Sequence, residues 1–130
     1  MSNAEILAKL ADAVRTASKN LATAQDRVRQ DMDRDEEVGD RNLTDLMLAE
    51  GIRRQYRELG YSLDGVLKRH EGETDEDMVK FFRRKRRTTL GRFLENSEDF
   101  WPGVSGIRQH QNREAVRRFL RETAFVAEGK

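Results

Sequence analysis

Five consecutive basic residues, Arg83, Arg84, Lys85, Arg86 and Arg87, form the densest run of positive charge in the chain. Guanidinium and ammonium groups neutralise phosphate or carboxylate and donate hydrogen bonds to it, but they do not turn over a substrate by themselves. The run lies within TDEDMVKFFRRKRRTTLGRFL, residues 74–94. At about 100° per residue, Lys80, Arg83, Arg84 and Arg87 share one face of a helix, and Met78, Phe82, Thr89 and Phe93 share the opposite one. Lys85 and Arg86 land beside Phe82 and Thr89, where their methylenes would lie along the core and their charged heads reach its edge. The cationic face has two readings: a solvated surface, or a surface that meets phosphates or an acidic partner.

A second cationic stripe, Arg113, Arg117 and Arg121, recurs at i, i+4 spacing beside the favourable pair Glu114 and Arg118. Other chemistry is thin. His70 and His110 are the only histidines, and the chain has no cysteine, so neither a zinc set nor a thiol nucleophile is expected. Asp31, Asp33 and Asp35 resemble the opening of a calcium loop. Its sixth position is Glu36 where a sharp turn needs Gly, and its twelfth is Asn42 where a bidentate Glu is needed, which argues against calcium. No Gly-rich phosphate cradle, nucleophile elbow or motif-placed carboxylate pair occurs. The expectation is a non-enzymatic binding protein with no cofactor and no metal. The basic run followed by Thr88 also has the form of a nuclear import signal or a kinase target, and a regular helix accounts for the same letters.

These side chains must be held by helices. Thr74 is placed to cap the basic helix, with Asp75, Glu76 and Asp77 where the helix dipole favours negative charge. Asn3 is a candidate cap for a long first helix over 4–32, free of Gly and Pro. Leu7, Val14, Leu21 and Val28 recur every seven residues with Leu10, Ala17 and Ala24 between them. That seam suits either a homodimeric coiled coil through Leu7, Leu10, Val14, Leu21 and Val28 or packing within the chain. The acidic stretch 31–40 closes at Gly39 and divides a 1–38 arm, a possible dimerisation element, from a 42–130 helical body.

Asn42 is the expected cap of a helix over 43–59, with the apolar stripe Leu48, Ile52, Tyr56 and Leu59 and a stop at Gly60. A brief helix over 63–70 follows, so the segment has the outline of a helix-turn-helix. Tyr56 is too large for the close crossing, and Gly65 is a poor middle for a recognition helix. An ordinary helical hairpin fits the same letters. If the segment reads DNA, Ser62, Asp64, Lys68 and Arg69 are its exposed candidates, with Arg53, Arg54 and Arg57 on phosphates. The run RELGYSLDGV resembles part of a helical segment of the MerR regulators over ten residues. Their winged helix-turn-helix start has no counterpart here. Phe100 and Trp101 sit in a turn-rich connector closed by Pro102 and Gly103, with Trp101 expected as a core plug. A last helix over 112–126 would bury Ala115, Val116, Phe119, Leu120 and Thr123.

Every apolar stretch therefore has a helical period, and the expected fold is all-α: a long N-terminal helix plus a bundle of about four shorter ones. Charged residues, at 38%, outnumber hydrophobic ones, at 36%, which suits thin helices with broad solvated faces. The charge is also divided along the chain. Residues 1–50 carry seven Lys or Arg against eleven Asp or Glu, net −4, and residues 51–130 carry eighteen against thirteen, net +5. No apolar run approaches the length of a membrane span, and the cytoplasm is the expected compartment. Two functional classes fit: a DNA- or RNA-binding protein of the kind that serves as a small regulator, or a protein-interaction module that uses its acidic arm and basic face.

Overall fold

The computed structural model describes residues 1–34, 39–59, 72–95 and 106–128. They form five helices and no strand: α1 (Asn3–Asp33), α2 (Asp40–Glu58), α3 (Asp75–Glu95), α4 (Gly106–Glu122) and α5 (Ala124–Glu128). The expected all-α architecture, with its long first helix, is what the chain adopts. The expected helix over 63–70, the helix-turn-helix candidates Ser62, Asp64, Lys68 and Arg69, and the Phe100–Trp101 connector lie outside the described residues.

The first helix begins at Asn3, so its cap lies one residue earlier than expected. Ser2, not Asn3, accepts the Glu5 backbone N–H at 3.2 Å, and the Ser-x-x-Glu spacing is that of a capping box. Along α1, Ile6, Leu10, Ala11, Val14, Ala17 and Ala24 are buried. Leu7 is only partly buried, and Leu21 and Val28 are half-buried. A straight helix drifts by about 20° per heptad from a strict seven-residue repeat, so the later members of the Leu7–Val14–Leu21–Val28 row turn away from the buried line.

The buried residues of α1 join one core with Tyr56 of α2 and its C-cap Leu59, Val79 and Phe82 of α3, Val116, Phe119 and Leu120 of α4, and Phe125 and Val126 of α5. Leu10 and Val14 are therefore used inside this chain. The α2–α4 and α1–α2 interfaces are the most extensive. Gly51 permits the first of them, because a β-carbon there would lie 2.6 Å from the Ala115 Cβ. Tyr56 and Phe119 meet edge to face across it, with ring centroids 5.0 Å apart.

The α1–α2 connection also departs from expectation. The second helix starts at Asp40 with Gly39 as a cap that has no side chain to offer. Asn42, the expected cap, instead donates its Nδ2 to Asp31 Oδ2 at 2.7 Å, and the Gly39 N–H reaches the same oxygen at 3.4 Å. Because the helix already starts at Asp40, Asn42 lies inside its first turn, where its side chain cannot serve as the N-cap and donates across to α1 instead. Asp31 thus ties the end of α1 to the start of α2.

The helix expected over 112–126 is two helices, with α4 starting earlier, at Gly106, and the expected set Ala115, Val116, Phe119, Leu120 and Thr123 is buried. It breaks at Thr123, whose hydroxyl donates to the Phe119 carbonyl at 2.7 Å. α5 resumes at once and brings Phe125 and Val126 back to the core.

Candidate polyanion interface on the basic helix

Helix α3 starts as its sequence predicts, with Thr74 Oγ1 accepting the Asp77 N–H at 3.2 Å. Val79 and Phe82 are its buried anchors, and Met78, Phe81, Leu90 and Phe93 pack partly buried against the core. With the helix rotated to this seam, the basic run divides. Arg86 points inward: its Nη2 donates to the Leu120 carbonyl at 2.8 Å and its Nε to Thr123 Oγ1 at 3.2 Å. Arg83, one turn earlier, donates through Nε to the Val126 carbonyl at 2.8 Å. Residues three apart share a helix face, so Arg86 reaches the end of α4 and Arg83 the last turn of α5. Carbonyls left without intrahelical partners at a helix end carry partial negative charge, and a cation beside them is favourable.

This corrects the assignment of Arg83 to the solvent face. It is half-buried, and its Nη2 is enclosed with no hydrogen-bond partner among the described residues. The outward ridge consists of Lys80, Arg84 and Arg87, all exposed. Lys80 pairs loosely with Glu76 at 3.3 Å, both well exposed. The guanidiniums of Arg84 and Arg87 have no hydrogen bond or ion pair among the described residues.

The four predicted α3 positions nevertheless come together. Lys80, Arg83, Arg84 and Arg87 line one concavity of about 770 Å³ with Phe81, Glu73 and Asp77. Four cations against two carboxylates leave it with a formal charge of +2. A smaller hollow of about 260 Å³ lies alongside, lined by Phe81, Arg84, Lys85 and Thr88. Phe81 and Arg84 border both. Lys85 is exposed and holds its Nζ 5.6 Å from the centre of the Phe81 ring, an attractive cation–π arrangement.

The second stripe lies elsewhere and is more fully paired. Arg117 and Arg118 both bind Glu114, at 3.1 and 3.4 Å. Arg121 shares a hollow with Glu114, Arg118 and Glu122, where the charges balance. Arg113 is half-buried. The hollow around Arg121 and the concavity on the α3 ridge share no residue. Lys68 and Arg69, the remaining candidate contacts, lie outside the described residues.

Elsewhere, the buried Tyr56 hydroxyl donates to Glu122 Oε2 at 3.0 Å. Burial, then the Glu122 charge and that hydrogen bond, raise the phenol well above its usual value. Among the described residues no group of three His, Cys, Asp or Glu gathers to hold a metal, and no helix is long and apolar enough to cross a membrane. Compared with protein-family models, curated proteins and solved structures, the chain finds no match.

Proposed function

We propose that the protein is a non-enzymatic nucleic-acid-binding protein whose contact surface is the outer ridge of α3, Lys80, Arg84 and Arg87. The observation that carries this reading is the division of the basic run. Arg86 is engaged by the end of α4 and Arg83 by α5, whereas Arg84 and Arg87 present unpaired guanidiniums to a concavity with net positive charge. Guanidinium forks match phosphate oxygens and hold their charge at every physiological pH. Arg83 adds charge to the wall of the site without offering its Nε, and Arg113, Arg117 and Arg121 lie outside this grip, with the charges around Arg121 balanced by Glu114 and Glu122.

Three phosphate contacts on duplex DNA should give a log–log salt slope of about −3, since each releases roughly 0.9 counterion. Fluorescence anisotropy on duplex DNA, single-stranded DNA and RNA measures that slope. Replacing Lys80, Arg84 and Arg87 together by Gln should bring it close to zero without unfolding the protein, because all three are exposed. Absence of binding to all three polymers at about 50 mM salt, where such contacts are strongest, overturns the reading. An acidic protein partner then becomes the account of the ridge, with the chain acting as an adaptor, inhibitor or assembly subunit.

A further inference from the structure

We infer that the preferred nucleic acid is single-stranded, with an unpaired base stacked on Phe81 between phosphates held on either side. This inference rests on the proposed polyanion ridge and adds to it the state of the strand. Phe81 is half-buried, and it borders both the larger concavity, whose formal charge is +2, and the smaller hollow with Arg84 and Lys85. Arg84 borders both as well, while Lys80 and Arg87 belong to the first and Lys85 to the second. An aromatic flanked by two basic hollows is the arrangement that tracks a single strand: bases offer π-faces to the ring while the backbone follows the charges. In a duplex those faces are stacked inside and out of reach.

The ring is also held in place. Phe82, fully buried in the core, meets it edge to face with centroids 5.3 Å apart and planes at 70°. One side of the platform is thereby fixed to the core, so stacking requires little ordering of the ring. The Lys85 ammonium, 5.6 Å from the ring centre, already occupies a cation–π position. It has a flexible stem and can move from the ring to a phosphate when a base takes its place.

The test compares a labelled single-stranded 15-mer with an abasic 15-mer that keeps the phosphates and lacks the bases. The native protein should bind the base-bearing strand roughly 10- to 100-fold more tightly, the usual range for stacking of one base on an aromatic side chain. Phe81→Leu should remove that preference while leaving abasic binding and the salt slope unchanged, and Phe81→Trp should retain it. Equal binding of the two strands by the native protein overturns the inference and leaves the polyanion ridge standing. So does an equal loss on both strands in Phe81→Leu, which would mean that the ring only supports the helix. If neither strand nor the matching duplex binds, the ridge itself fails and the inference with it.

Discussion

Arg86 Nε donates to Thr123 Oγ1 at 3.2 Å, in the same grip that places its Nη2 2.8 Å from the Leu120 carbonyl. One guanidinium from the basic helix thereby satisfies the broken end of α4, and Arg83 does the same for α5 through Val126. Five adjacent basic residues serve two purposes because a helix sends neighbours to different faces. Removing Arg86 leaves partly buried acceptors unpaired. Arg86→Gln should therefore cost about 2 kcal/mol, the range for hydrogen bonds to a charged group. Arg87→Gln should change stability by less than about 0.5 kcal/mol. Urea unfolding of the two variants measures the contrast, and equal losses would show that the inward grip contributes nothing.

The α2–α4 crossing depends on Gly51. A methyl group there would meet the Ala115 Cβ at 2.6 Å, so the helices must separate or bend to accept it. Gly51→Ala should lower stability by about 1–3 kcal/mol, as overpacking does, despite the gain in helix propensity. Adding Ala115→Gly should recover part of that loss. A double-mutant cycle with no coupling between the two positions would contradict the close approach.

Asp31 joins α1 to α2 through Asn42 and Gly39. Asp31→Ala should cost about 1–2 kcal/mol, since the Asn42 amide loses a charged acceptor in a partly buried place. Asn42→Ala should cost a similar amount, and the double variant less than the sum of the two. Additive losses by chemical denaturation would show that the pair does not interact.

Tyr56 makes the fold sensitive to alkali. Its phenol is raised in the folded state from the usual value of 10.0 by burial, by the Glu122 charge and by the hydrogen bond to it. Above about pH 10 the unfolded chain releases this proton while the folded chain keeps it, so stability falls as pH rises, and below that pH the group contributes no slope. The decline should approach about 1.4 kcal/mol per pH unit. Tyr56→Phe should be less stable at neutral pH by about 1 kcal/mol, through loss of the hydrogen bond, and should show a shallower decline between about pH 10 and 11. Parallel slopes for the two proteins would refute the link.

The chain's own letters determined the helices and much of the core. Thr74 as a cap, Ala115 to Thr123 as a buried face and Tyr56 with Leu59 as α2 anchors all follow from local capping chemistry and the 3.6-residue period. The gathering of Lys80, Arg83, Arg84 and Arg87 at one surface follows from the same period. Choices that depended on a neighbouring helix were decided only by the tertiary structure. Asn42 falls inside α2, which starts at Asp40, and donates to Asp31 at 2.7 Å, and Arg83 leaves the solvent face because the Val126 carbonyl lies within reach. Phe81 acquires its place between two basic hollows in the same way, once Val79 and Phe82 fix the rotation of α3. Periodicity assigns a residue to a face to within about one position, or 100°. Which side chain on the margin of that face finds a carbonyl, a carboxylate or open solvent depends on the helix packed against it.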